Sequence, residues 1–168
     1  MRKRVIHAKD GERTAGRGLS APGKAPLPKP PAIIWQGADY PRIEPGTYQV
    51  RGVDFQGPEW VRKYQRWSLR IEFALVTEPG KASAFFNFGS DPQGPRVARH
   101  SNYWKEWVKA NGDLPAKGQE MTPDVFLEGQ FFCVSIEDST FNSDGKRKTD
   151  HEVYSKITKI HSVERPQS

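Results

Sequence analysis

The chain has one cysteine, four histidines and no long apolar run in its 168 residues. A single cysteine excludes an internal disulfide, and the place of Cys133 in the apolar run FFCVSI predicts a small buried side chain without a redox role. No run of about 18 apolar residues is present to span a bilayer, and no apolar stretch of the kind found in secretory signals follows the basic start MRKRV. We therefore expect a soluble, cytoplasmic protein with no membrane partner.

Sequence motifs that carry catalysis are also missing. The chain contains no GxxxxGK[ST], GxSxG or HExxH motif, and no GxGxxG follows a predicted strand. His7, His100, His151 and His161 are scattered along the chain and, with one cysteine, offer no metal-ligand spacing. We expect no enzyme activity, no metal and no cofactor.

Acidic residues between positions 138 and 152 leave one enzymatic alternative open. They are Asp138, Asp144, Asp150 and Glu152. Such carboxylates bind divalent cations when they converge, but the basic run at 146–148 lies among them and opposes a cation. The run Asp150-His151-Glu152 reads more simply as a solvated turn. An enzyme subunit that uses Asp138 stays the third hypothesis.

Positive charge is concentrated at the start of the chain. Residues 1–30 hold eight basic and two acidic residues, whereas residues 31–168 hold 18 of each. The Pro/Gly-rich stretch 16–32, GRGLSAPGKAPLPKPPA, predicts an extended linker without a core. We divide the chain into a disordered basic tail (1–32), a folded domain (33–164) and a disordered end (165–168). The tail is expected to contact nucleic acid or a protein partner, and a purely solubilising tail stays open.

Hydrophobic periodicity predicts five strands and one helix in the folded domain. GTYQVRGVDF alternates with a slip at Gly52, which indicates a bulged, bent first strand. RWSLRIEFAL alternates strictly, and KASAFFNF returns after the turn TEPGK. A helix is predicted over VARHSNYWKEWVKANG, ending at Asn111 and Gly112. The last two strands are predicted over VFLEGQFFCVSIED, with a bulge at Gly129, and EVYSKITKIHSV.

This order of elements predicts the fold class. Three strands, one helix and two further strands form the OB-fold, a mainly β five-stranded barrel with its helix between strands 3 and 4. A strongly bent first strand is what closing this small barrel requires. A generic α+β sandwich stays open as the alternative.

Several pieces of the chain resemble a known group of proteins. EPGTYQVRGVDF, WSLRIEFALV, an aromatic helix ending in NG, and LEGQFFCVSIED look like the small OB-fold single-stranded-DNA-binding and replication-accessory proteins of phages and other mobile elements. The resemblance covers residues 44–163. It implies a protein that binds single-stranded DNA with little sequence specificity, in replication or recombination of such an element. The chain departs from the group at its end, because HSVERPQS is not the acidic tail that many members use to recruit partners.

Basic and aromatic residues cluster where OB-folds bind their ligands. OB-folds bind oligonucleotides across strands 2 and 3, between the loops that join strands 1 and 2 and strands 4 and 5. Aromatic rings there would stack on unpaired bases while Lys and Arg neutralise phosphates. The predicted nucleic-acid-binding residues are Trp60, Arg62, Lys63 and Tyr64 in the first loop, Arg66 and Arg70 on strand 2, and Phe141, Lys146, Arg147 and Lys148 in the second loop.

A different function fits the same composition. An OB-fold can serve as a protein-interaction module in a larger complex, with the tail or its PLPKPP segment as the contact. The sequence also leaves open whether the nucleic acid is DNA or RNA, and whether the protein forms a homo-oligomer.

Overall fold

The structure is a computed structural model that describes Gly23, residues 25–34 and residues 42–167. The chain divides into two units, Met1–Gln36 and Gly37–Ser168. In the first unit the described residues are exposed and form neither helix nor strand. Ile33 and Ile34, at the predicted start of the folded domain, are exposed and have no regular secondary structure, and Trp35 and Tyr40 lie outside the described residues. The basic residues of the tail up to Lys24 lie outside them as well.

The second unit is a five-stranded sheet that closes in a ring. Its strands are β1 (Gly46–Val61), β2 (Arg66–Leu75), β3 (Lys81–Phe88), β4 (Phe131–Asp138) and β5 (Ser155–Glu164), and its helix is α1 (Asn102–Asn111). The order round the ring is β1-β2-β3-β5-β4, and β4 pairs with β1 to close it. All neighbours are antiparallel except β3 and β5, which are parallel and pair only at Ser83–Lys156 and Ala84–Ile157. The mainly β class and the element order are therefore confirmed.

The bulge predicted in the first strand is present. The pairing of β1 with β2 shifts register between Gly52 and Asp54, and again between Gln56 and Glu59. Gly52 also lies against the backbone of the short 3-10 helix Pro123–Leu127, where a Cβ atom would overlap the carbonyl oxygen of Phe126. The glycine is thus needed for a close backbone approach as well as for the bulge.

The core fills the inside of the ring. β2 and β3 have the predicted bounds, and the apolar side of β2 is buried as its alternation indicates. Phe73 lies edge-on to Phe132 of β4, with ring centroids 5.5 Å apart, and edge-on to Phe126 at 6.3 Å. All three rings are fully buried. Truncating one of them to alanine would cost on the order of 3–5 kcal/mol.

The helix is shorter than predicted. It begins at Asn102 and not at Val97, because the Ser101 side chain caps it by accepting a hydrogen bond from the Trp104 amide at 3.2 Å. Its end is confirmed, since Gly112 adopts the left-handed conformation with φ 87° that closes a helix. The buried face consists of Tyr103, Trp107 and Ala110.

The last two strands are also shorter than predicted. Residues 125–127 belong to the 3-10 helix, and Gly129 has φ 89° in the turn before β4, so it is not a strand bulge. Residues 150–152 form another 3-10 turn before β5. Cys133 lies half-buried on β4, so the prediction of a buried side chain is wrong. The side chains that point inward are its neighbours on either side, Phe132 and Val134.

Within the described part of the chain, no helix has both the length and the apolar character needed to cross a membrane.

Candidate functional site

The connection between β1 and β2 is shorter than the sequence indicated. Trp60 was expected in this loop, but β1 continues to Val61 and Trp60 pairs in register with Trp67 of β2. The two indoles meet edge-to-face with centroids 5.7 Å apart, and Trp67 packs against the core. Register partners share a face of a sheet, so Trp60 lies on the side opposite to Arg66. Trp60 was placed in a loop because the alternation breaks at Gly52, whereas β1 continues past this break to Val61.

A tight turn carries the rest of the predicted loop residues. Residues 62–64 form a single 3-10 turn, closed by Gln65 in the left-handed conformation with φ 50°. Tyr64 projects outward, with the Arg66 guanidinium carbon 4.8 Å and the Lys63 ammonium nitrogen 5.3 Å from its ring centre. The turn therefore presents one aromatic ring with two cations close to it.

The β4–β5 loop folds into a small hairpin, here called the 140–148 hairpin. Phe141 and Arg147 form a β-bridge, flanked by two backbone hydrogen bonds of 2.8 Å, from Asn142 to Lys146 and from Lys148 to Thr140. Its tip turns at Gly145, whose φ of 81° suits glycine. The polar, basic loop indicated by the sequence thus has a defined backbone shape.

The outward face of the sheet supplies further aromatic surface. Phe85 of β3 lies opposite Arg70 of β2 in the register, and its ring meets that of Tyr154 edge-on at 5.9 Å. The Lys148 ammonium nitrogen lies 4.0 Å from the centre of the Tyr154 ring and donates a 2.7 Å hydrogen bond to the Ser139 hydroxyl. The hairpin is thereby tied to the start of β5.

These elements surround one groove of about 530 Å³, here called the aromatic groove. Four of its aromatic side chains are exposed: Tyr64 41%, Phe85 43%, Phe141 62% and Tyr154 39%. Its cations are Arg66, Lys148 and Lys156, and its uncharged polar side chains are Asn87, Asn102, Ser139, Asn142, Ser143 and Thr158. None of the described residues that line the groove is acidic.

The pKa of Tyr64 reflects these surroundings. A hydrogen bond with the Ser143 side chain is the largest cause that lowers it, followed by a hydrogen bond with Lys63 and the positive charges of Lys63 and Arg66. Partial desolvation opposes the shift. Tyr64 of the β1–β2 turn and Ser143 of the 140–148 hairpin both line the groove.

The predicted site residues fall into three groups. Tyr64, Arg66, Phe141 and Lys148 line the aromatic groove together. Arg62, Lys63, Lys146 and Arg147 are exposed on the two loops beside it, without lining it. Arg70 and Trp60 also do not line it. The Arg70 guanidinium donates to the Ser83 hydroxyl at 2.9 Å and pairs with Glu72 at 3.4 Å, so it joins a network on the sheet surface.

Ten residues that line the groove were not predicted, among them Phe85, Asn87, Tyr154 and Lys156. Phe85 and Asn87 could have been found from the parity of β3, because Phe86 and Phe88 are inward and their neighbours must point outward. Lys156 has no comparable signal, since it reaches the groove only through the parallel pairing of β3 with β5. Tyr154 lies just before β5, where the sequence does not show which way a side chain points.

Asp138, Asp144 and Glu152, three of the four acidic residues considered for an enzyme, have ion-pair or hydrogen-bond partners. Asp138 forms an ion pair with Arg42. Thr149 and Glu152 form a reciprocal capping box on the 150–152 turn, and these hydrogen bonds lower the pKa of Glu152. In the part of the chain that the structure describes, no group of three or more His, Cys, Asp or Glu side chains is arranged to hold a metal ion.

Comparison with known proteins found no family model and no curated protein that matches the chain.

Proposed function

We propose that the ring is an OB-fold and that the protein binds single-stranded DNA in the aromatic groove, with little sequence specificity. The fold assignment is supported by the helix between the third and fourth strands, the bulged first strand and the ring order. The resemblance to binding and accessory proteins of phages and mobile elements suggests a role in replication or recombination. The basic tail would add salt-dependent affinity for the same strand.

The composition of the groove carries this proposal. Four exposed aromatic rings and three cations line one surface, and no described lining residue is acidic. Exposed aromatic rings in a groove are costly to leave in water, and they favour a ligand that offers flat apolar faces. The cations favour a ligand with repeated negative charge. A single-stranded nucleic acid has both properties.

The stacking energy available in the groove favours single-stranded over double-stranded nucleic acid. A base that stacks on an aromatic side chain contributes roughly 1–3 kcal/mol, and it must leave a duplex to do so. Stacking is available to every base because each has a π face, which predicts weak sequence preference. The cations act on the backbone, which is common to all sequences.

Fluorescence anisotropy with labelled oligothymidylate, the matching duplex and oligouridylate is the direct test. Phe141→Ala is the informative variant, because this ring is the most exposed of the four and contributes least to folding. We expect it to weaken binding of the single strand by about 5- to 150-fold. Val76→Ala, which removes an exposed apolar side chain outside the groove, is the control and should bind like the wild-type protein.

The outcomes separate the competing hypotheses. Tight binding of single strands, weak binding of duplex and loss in Phe141→Ala support the proposal. Absence of single-strand binding at low salt would reject it and favour a protein-interaction module. Stronger binding of oligouridylate than oligothymidylate would reject DNA as the ligand in favour of RNA.

A further inference from the structure

We infer that the aromatic groove reads one base of the bound strand, with adenine preferred, through an amide on β3. Phe85 would stack on this base, and Asn87 would form hydrogen bonds with its edge. This inference rests on the proposed function and deepens it, because it adds a base preference at a single position. The other contacts of the groove act on π faces and phosphates, so the strand as a whole is still bound with little sequence specificity.

Phe85 and Asn87 present their side chains on the same face of β3. They are two residues apart and both are exposed, whereas Phe86 and Phe88 are buried on the opposite face. Both Phe85 and Asn87 line the aromatic groove. Two residues along a strand cover roughly 6.5–7 Å, a distance that a purine ring system can span. A base that lies on the Phe85 ring can therefore direct one edge to Asn87.

The amide of Asn87 is available to a ligand. In the register Asn87 lies opposite Ser68 of β2, and its side chain has no hydrogen-bond partner among the residues that the structure describes. Arg70, which lies opposite Phe85, is instead bonded to the Ser83 hydroxyl and paired with Glu72. A side-chain amide has both an N–H donor and a carbonyl acceptor. Asn87 can thus donate to a base and accept from it at the same edge.

An amide matches adenine better than the other bases. Adenine has an acceptor nitrogen beside its 6-amino donor on both its Watson–Crick edge and its Hoogsteen edge, so either edge can form two hydrogen bonds with Asn87. Cytosine and thymine offer an adjacent donor and acceptor on one edge only, and the Hoogsteen edge of guanine has two acceptors. Adenine also has a larger ring system than the pyrimidines to stack on Phe85. We therefore expect adenine to be preferred at this position.

A single-base substitution in the probe tests the inference. The probes are labelled oligothymidylates of about 9 nucleotides, within the range that one OB domain covers, either unchanged or with one central base replaced by adenine, guanine or purine. We expect central adenine to raise the affinity by about fivefold or more, the effect of a bidentate base contact. Purine lacks the 6-amino group but keeps the two rings and both acceptor nitrogens. It should raise the affinity much less, because it cannot donate to the Asn87 carbonyl.

Asn87→Leu is the informative variant, because it removes the amide and keeps a side chain of similar size at an exposed position. This variant should bind the adenine probe and the purine probe equally. Gln93→Leu removes an exposed amide outside the groove and should keep the wild-type ratio of the two affinities. Circular dichroism checks that both variants are folded.

The ratio of the affinities for the adenine and purine probes decides the inference. A wild-type ratio near one, or a ratio that Asn87→Leu leaves unchanged, overturns it while single-strand binding stands. Tighter binding of the guanine probe than of the adenine probe also overturns it, because arginine is the usual reader of guanine and the base contact would then belong to Arg66. If the unchanged probe does not bind the wild-type protein, the proposed function itself fails.

Discussion

The ammonium nitrogen of Lys148 lies 4.0 Å from the centre of the Tyr154 ring, and the same nitrogen donates a hydrogen bond to Ser139. These two contacts hold a flexible side chain on the groove wall before a ligand arrives. A flexible lysine side chain loses conformational entropy when it binds a phosphate, and a side chain that is already held in place loses less. Lys148 is therefore the lysine from which we expect the largest contribution to binding.

Neutralising Lys148 should change the salt dependence of binding. For single strands, the plot of log affinity against log salt has a negative slope, and its magnitude decreases by about 0.7 for each phosphate contact that is lost. We expect Lys148→Gln to reduce the slope by about that amount and to weaken binding at low salt. Anisotropy titrations at several salt concentrations measure both. Arg51→Gln, outside the groove, should keep the wild-type slope, and an unchanged slope in Lys148→Gln would contradict a phosphate contact there.

Gly52 should tolerate no side chain. Because a Cβ atom there would overlap the carbonyl oxygen of Phe126, Gly52→Ala must push the 3-10 helix away from β1. We expect the free energy of unfolding to fall by about 1–3 kcal/mol, as for other overpacked sites, measured by urea denaturation. Gly94→Ala is the matched control, since its Cβ atom would meet no heavy atom within 4 Å. Equal stability of the two variants would contradict the close approach.

Binding should weaken at alkaline pH through Tyr64. Its pKa is lowered, first by the hydrogen bond with Ser143, so the phenolate forms below the usual tyrosine value of about 10. As pH rises through that lowered pKa, a negative charge appears in the groove and repels phosphates. Tyr64→Phe should therefore retain affinity at a pH where the wild-type protein has lost it. Ser143→Ala should move the loss to higher pH, and anisotropy at fixed salt across this range follows all three proteins.

Glu106 should make stability depend on pH. Burial is the largest effect and raises its pKa, while Lys109 at 3.3 Å opposes the shift. Between the unfolded pKa, about 4.3, and the raised folded value, the folded state holds more protons than the unfolded state. The free energy of unfolding therefore falls as pH rises through this window.

The comparison of two glutamine variants isolates this contribution. The glutamine in Glu106→Gln cannot titrate. The free energy of unfolding of this variant should therefore fall less with rising pH than that of the wild-type protein. Glu59→Gln, at an exposed position on β1, should keep the wild-type profile. Urea denaturation at several pH values gives the profiles. A Glu106→Gln profile parallel to that of the wild-type protein would contradict the raised pKa.

Local alternation allowed much of the sheet to be predicted from the sequence. β2 and β3 have the predicted bounds, because β2 alternates strictly and the turn at residues 77–81 separates it from β3. Gly52 marked a real irregularity of β1, but the strand continues beyond its second register shift, where no alternation is visible. The helix and the last two strands were predicted too long, because capping by Ser101 and the two 3-10 turns end the elements before their apolar patterns end.

The candidate site depends on contacts between distant segments, and these are hard to predict. Tyr64 and Phe141 were found because basic and aromatic residues cluster around them in the sequence. Trp60 was misplaced because its partner Trp67 belongs to another strand, and only the pairing shows which face it takes. Lys156 reaches the groove through a parallel contact between strands more than 60 residues apart, and the pattern within one segment does not show which distant strand pairs with it.

The ladder between β3 and β5 is the seam of the ring. With only two paired residues on each strand, this is the place where backbone hydrogen bonds resist separation least. Phe85 and Asn87 follow the paired residues on β3, and Thr158 follows them on β5. A ligand in the groove would therefore contact both strands. A single-stranded nucleic acid bound there would hold β3 and β5 together. Its binding would therefore slow amide hydrogen exchange along the β3–β5 pairing more than in the rest of the sheet.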